Sequence, residues 1–126
     1  VLKTAKGKIM ATNSQIAFAP LGNTVVVAAA SSAPTGVQAL VNGRLDAQGT
    51  GQYRIINSSA NLVFLGVGPT AAIATANAVA PVAGTPTDAI VLLPNSVHIL
   101  RFGRDSFFSG LASSSSTVYI VQGEGI

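Results

Sequence analysis

The sequence predicts an all-β fold: a two-sheet β-sandwich, jelly-roll-like, with an extended N-terminal arm. Ten short runs rich in Val, Ile, Leu, Thr and aromatic residues recur along the chain, each of strand length. Gly, Pro, Asn and Ser separate them, several in pairs that have a turn mechanism. Ten short strands in one small domain imply two packed sheets. The chain divides into an arm, residues 1–14, and a single β-sandwich domain, residues 15–126. That length buries roughly 65–70% of the surface its unfolded chain would expose, so no second core is needed.

Taken in order, runs at 15–19, 24–29 and 37–41 open the domain, and Asn42-Gly43 behind the third supports a left-handed turn. Strands at 52–57 and 62–67 flank Asn57-Ser58-Ser59, whose side chains can bond to the backbone. Residues 70–80 are rich in alanine, which alone favours helix. Pro69 and Pro81 bracket the stretch, however, and its threonines and asparagine weaken that preference, so it reads as a strand at 72–76 entering a loop at 77–87. Pro94-Asn95 turns the chain between strands at 88–93 and 96–102. Strands at 107–111 and 117–122 are joined by the serine turn 113–116.

Hydrophobic residues make up 48% of the chain and charged residues 9%, against about 25% in an ordinary soluble domain. Much of the surface is therefore Ser, Thr, Asn, Gly and Ala. Little like-charge repulsion keeps copies apart, and interface cores are themselves poor in charge, so assembly is expected. The sequence pI near 9.8 points to nucleic acid at first sight. From residue 10 onward, however, Arg44, Arg54, Arg101 and Arg104 balance Asp46, Asp88, Asp105 and Glu124. Scattered arginines, two of them beside an acid, do not make the clustered basic face of a nucleic-acid binder. With no cysteine, neither a disulfide framework nor a thiolate metal site is available, which fits cytosolic synthesis. No apolar run reaches the length of a secretory core or a membrane span, so a membrane partner is not expected.

The positive charge collects in the arm, where Lys3, Lys6 and Lys8 stand among Val1, Leu2 and Ile9. Met10-Ala11-Thr12 has the form of a translation start, so residues 1–9 read either as a docking arm or as an upstream extension. Nine extended residues span about 30 Å, enough to cross onto a neighbouring subunit. The preferred reading is a docking arm whose lysines meet acidic groups while its apolar residues pack.

No catalytic constellation emerges. His98 is the single histidine, and alternation places Ser96, His98, Leu100 and Phe102 on one strand face. A lone strand histidine is usually structural, and no Gly-x-Ser-x-Gly elbow accompanies it. One histidine and four dispersed acids match no zinc or EF-hand spacing. Local pairing of Arg44 with Asp46 and of Arg104 with Asp105 explains those acids better than a glycosidase pair. Gly66-Val67-Gly68 and Gly49-Thr50-Gly51 lack the rest of a phosphate loop and read as turns or bulges. Asn57-Ser58-Ser59 matches a glycosylation sequon but reads as a turn. The chain is expected to have no enzymatic activity, cofactor or metal.

The last segment, Ser116-Thr117-Val118-Tyr119-Ile120-Val121-Gln122-Gly123-Glu124-Gly125-Ile126, is an alternating strand that stops in Gly-Glu-Gly-Ile. This ending resembles small virion-associated proteins of tailed bacteriophages, the capsid decoration or cement type. Arg54-Ile55-Ile56-Asn57, Asn61-Leu62-Val63-Phe64-Leu65-Gly66, Ala74-Thr75 and Leu92-Leu93-Pro94-Asn95-Ser96-Val97 carry the same resemblance, which covers about residues 50–126. It implies a β-sandwich without catalytic residues that binds the major capsid protein on the virion surface after synthesis in the host cytoplasm. Many modest contacts then act together across the joints of the shell. The arm and the first or last strand are the expected edges for pairing with a neighbour. A two-fold dimer is the preferred oligomer, with a trimer as the alternative.

Other readings are a head-tail connector or tail component and, from a different class, a carbohydrate-binding module. The last needs an exposed aromatic platform; the chain has no Trp, and its aromatics fall mostly in strand runs. Phe107 and Phe108 must point to opposite faces if extended, so one of them is expected at a surface or in an interface. The candidate partner-binding residues are thus Val1, Leu2, Lys3, Lys6, Lys8, Ile9, Phe107 and Phe108.

Overall fold

The computed structural model describes residues 17–39 and 51–124. The arm, the Asn42-Gly43 turn, Arg44, Asp46 and the final Gly125-Ile126 lie outside the described residues, as do the six arm positions named above. Nine strands and one helix are described: β1 (Ala19–Pro20), β2 (Val25–Ala29), β3 (Val37–Gln38), β4 (Gln52–Asn57), β5 (Val63–Gly68), α1 (Ala71–Asn77), β6 (Ile90–Leu92), β7 (Ser96–Arg101), β8 (Phe107–Ala112) and β9 (Ser116–Glu124). They form two antiparallel sheets, so the all-β class holds.

In sheet one β9 lies beside β4, and β4 beside β7, while β1 and β2 run end to end along the other edge of β9. Between Pro20 and Val25 four residues face only Val121 and Gln122, and the amides of Leu21 and Gly22 both donate to the Gln122 carbonyl. This bulge bends the edge without breaking it. Sheet two has the order β3, β8, β5, β6. The pairs β2 with β9, β3 with β8, β4 with β7 and β5 with β6 recur in reverse order, so the second half of the chain retraces the first. Ala30 carries the chain from sheet one to sheet two, where its carbonyl accepts from the Ala112 amide.

The core lies between the sheets. Val27, Tyr53, Ile55, Val118 and Ile120 face it from sheet one, and Val63, Leu65, Leu92 and Phe108 from sheet two. Tyr53 and Phe108 meet edge to face at 4.8 Å between centroids, and Phe102 packs against both rings. Phe108 is fully buried, so it leaves the set of candidate contact residues; Phe107, half-buried, points to the opposite face.

The expected strand at 72–76 is instead helix α1. Pro69 does not break it, because it precedes the cap: the Thr70 hydroxyl accepts the Ile73 amide and starts the helix one residue later. The threonine and asparagine thought to weaken it are used in packing. The Thr75 hydroxyl accepts the Gly36 amide, and the Asn77 amide donates to the Val67 carbonyl. Gly66 and Gly68 are not in turns or a bulge, as expected, but inside β5, where α1 crosses. A Cβ on Gly66 would strike the Ala74 carbonyl and the Ala78 amide. The helix therefore lies directly on the outer face of sheet two.

Other expectations hold locally. Asn95 takes the left-handed φ of 54° in the β6–β7 turn. Asn57 is fully buried; its amide donates to the carbonyls of Asn61, Leu92 and Leu93 while its carbonyl oxygen accepts from Ser59. The last strand, expected at an edge, is central to sheet one, and among the described residues β1, β2 and β7 form its edges.

Gly66→Ala is expected to destabilise the fold by about 2 kcal/mol or more, since backbone and not a flexible side chain must move; urea denaturation measures it. Burial raises the pKa of the Tyr53 hydroxyl, with a smaller push from Asp105 and opposing contributions from Ser106 and Arg104. The fold holds the neutral form, so this part of its stability is complete below the unfolded-state value of about 10 and falls as pH rises through the folded one. Tyr53→Phe, which loses the bond to the Gly103 carbonyl, should cost about 1 kcal/mol at neutral pH. Its stability should then fall less steeply than that of the parent above about pH 10, by denaturation at both pH values.

Candidate interaction surface

An antiparallel sheet with one face on the core normally turns polar residues to water on the other. Sheet two meets that requirement differently, covering its outer face with α1 and with residues 33–36, where the Pro34 carbonyl accepts from both Ser109 and Thr75. Sheet one has no such cover among the described residues, yet its outer face is apolar. The register aligns Val26, Tyr119, Ile56 and Val97 in one row across four strands. The next row is Val121, Arg54 and Ile99. Val26 (48% exposed), Val97 (53%), Ile99 (44%) and Tyr119 (39%) stand in solvent, whereas Leu62, Val79, Val82 and Leu93 lie between elements, Ile73 on α1 and Val91 singly on β6.

The face carries cations and no described acid. Arg54 and Arg101 project from it at successive outward positions of adjacent strands, and Arg54 forms no ion pair among the described residues. At the β1 end the Phe18 ring lies over Gly123 and closes the face. The result is an aliphatic field around one tyrosine, edged by guanidinium groups that bind carboxylates in a fixed fork.

Three of the strands that build this face, the last strand among them despite the alternation expected of it, carry apolar residues at successive positions. Val25-Val26-Val27, Ile55-Ile56 and Val118-Tyr119-Ile120-Val121 are continuous apolar runs, the pattern of strands buried on both sides. That signal could have identified Val26, Ile56 and Tyr119, while Val97 and Ile99 lie on an alternating strand that gives no such sign; none of the five was among the expected contact residues.

Ser96 and His98 do share a face, as alternation predicted, with Nε2 of His98 3.2 Å from the Ser96 hydroxyl. The hydroxyl donates to the Leu93 carbonyl at 2.6 Å, so its proton points away from the imidazole, which then acts as donor. This is the reverse of a base activating a serine. Arg104 and Asp105, expected to pair, form no ion pair with each other. Both line a groove at the end of the sandwich, together with Asp88, Phe102, Ile90 and Val67. No helix among the described residues is long and apolar enough to cross a membrane.

No family model matches the chain, and neither the curated proteins nor the solved structures contain a match to it.

Exchanging Val97 and Tyr119 for threonine keeps β-propensity and removes apolar surface. Each change should alter stability by no more than about 0.5 kcal/mol while lowering binding of a hydrophobic dye such as ANS, read in the same samples by fluorescence.

Proposed function

We propose that the chain is a non-enzymatic structural virion protein that attaches to the outside of a bacteriophage capsid as a decoration or cement protein. The observation that carries the docking role is the apolar face of sheet one, which no described residues cover, with its central Tyr119 and neighbouring Arg54. Aromatic and arginine anchors amid aliphatic surface are the composition of interface cores. The class of partner, the major capsid protein, rests on the sequence resemblance across residues 50–126. Carboxylates of the shell would meet Arg54, and its apolar residues would cover the row from Val26 to Val97.

The strand order supports reading the sandwich as a jelly roll: four antiparallel pairs, β2–β9, β3–β8, β4–β7 and β5–β6, divide alternately between the five-stranded and the four-stranded sheet. Among the described residues β7 is an edge of sheet one, and pairing two copies there would extend the face without covering it, a route to the two-fold dimer. A carbohydrate-binding module could use Tyr119 as a stacking platform. Its aliphatic neighbours Val26, Ile56 and Val97 lack the hydrogen-bonding groups that fix a sugar, which favours a protein partner.

Quantitative mass spectrometry of purified particles tests the reading. A copy number comparable with the shell protein is the expected result, while a dozen or fewer copies would move the chain to the connector or tail. On shells stripped of the protein, Tyr119→Ser should bind about tenfold or more weakly, as expected of a central aromatic anchor, with its folding checked by circular dichroism.

A further inference from the structure

The groove at the end of the sandwich is built from three places: the end of β5 at Val67 and Gly68, the approach to β6 at Asp88 and Ile90, and the β7–β8 loop from Phe102 to Ser106. It encloses about 600 Å³, within the range that takes a few side chains of a ligand. Val67, Ile90 and the half-buried Phe102 give it an apolar lining, and Asp88, Arg104 and Asp105 stand exposed around it.

The loop that displays two of these charges is tied down from below. The Tyr53 hydroxyl donates to the Gly103 carbonyl, the Gln122 amide to that of Arg104 and the Gln38 amide to that of Asp105. The Ser106 hydroxyl adds a second bond to Gly103. Its backbone acceptors are thus occupied inward, while the Asp105 and Asp88 carboxylates make no hydrogen bond or ion pair among the described residues. A recognition loop fixed in advance loses little freedom on binding.

We propose that this groove is the receptor for the chain's own Lys-rich segment, residues 1–9. The charge is complementary. Beyond residue 9 the chain is electrically balanced, its excess of +3 is Lys3, Lys6 and Lys8, and two of its four acids line this one groove. Arg104 stands there too, leaving the groove one net negative charge for the lysines to neutralise. Leu2 and Ile9 supply apolar side chains for Phe102 and Ile90. The geometry of attachment agrees. β1 pairs with Gly123 and Glu124, adjacent to the Gln122 that holds the loop, so the chain enters the domain at the groove's end of the sandwich. The seven residues 10–16 span up to about 25 Å, enough to serve the groove of the same copy or of one beside it. This inference is independent of the capsid reading.

Zero-length carbodiimide coupling of the unmodified protein, followed by peptide mass spectrometry, tests it directly. The expected product joins Lys3, Lys6 or Lys8 to Asp88 or Asp105; coupling of those lysines only to other acids, or to none, overturns the proposal. Because the chain has no cysteine, a second test uses Thr4→Cys paired with Pro69→Cys at the groove, against Thr4→Cys paired with Ser114→Cys in the distant β8–β9 turn. The groove pair should form its disulfide preferentially, and the yield should fall about fivefold with Asp88→Asn and Asp105→Asn together or in about 1 M salt. Either single-chain or two-chain disulfide mass supports the receptor and identifies which copy donates the segment. Equal yields at the two sites, or indifference to the aspartates, overturn it.

Discussion

The register between β4 and β9 is the constraint on which the rest of the molecule depends. Tyr53 opposite Gln122 and Ile55 opposite Ile120 are fully buried in the core. The same register places Arg54 opposite Val121 and Ile56 opposite Tyr119 on the other side. A shift of one residue would exchange the two sets. Core and outer surface are therefore decided together: apolar residues on both faces leave the choice to what each face meets. The edge-to-face contact of Tyr53 with Phe108, and the bond from Tyr53 to Gly103, break that near-symmetry in favour of the observed register.

The two sheets dispose of their outer faces in opposite ways. Sheet two uses glycine: without side chains at Gly66 and Gly68, α1 rests against the strand backbone and protects it. Sheet one keeps Val, Ile and Tyr at the corresponding positions, and no helix among the described residues covers them. A domain this poor in charge cannot blunt such a face by repulsion, so the arginines at its margin govern what approaches. In the docking role proposed for this face, apolar area would supply affinity and the guanidinium groups orientation.

Polar residues in the interior concentrate at the two ends of the sandwich. At one end Asn57 binds three carbonyls and joins the turn after β4 to the end of β6. At the other Gln122 ties Ala39 to Arg104 through its amide, with its oxygen buried and unbonded. That cost is borne where it fixes the loop bordering the groove. Both side chains replace backbone pairing that loops cannot provide for themselves.

Much of the fold was legible in the sequence. Composition and turn chemistry determined the all-β class, and β-branched runs located strands such as 52–57 and 96–101 closely, because a strand and its turns are local. The helix was misread for a local reason as well: the same proline and threonine that end one element can cap the next. Contact residues were harder. Phe107 and Phe108 were known to face opposite ways, but which one entered the core depended on β5 and β3 lying on either side of them. The row from Val26 to Val97 joins residues separated by most of the chain, and no spacing reveals it. The sequence determined that apolar side chains would outnumber the places inside; strand pairing alone decided which of them remained outside, because position across a sheet is set by partners and not by neighbours.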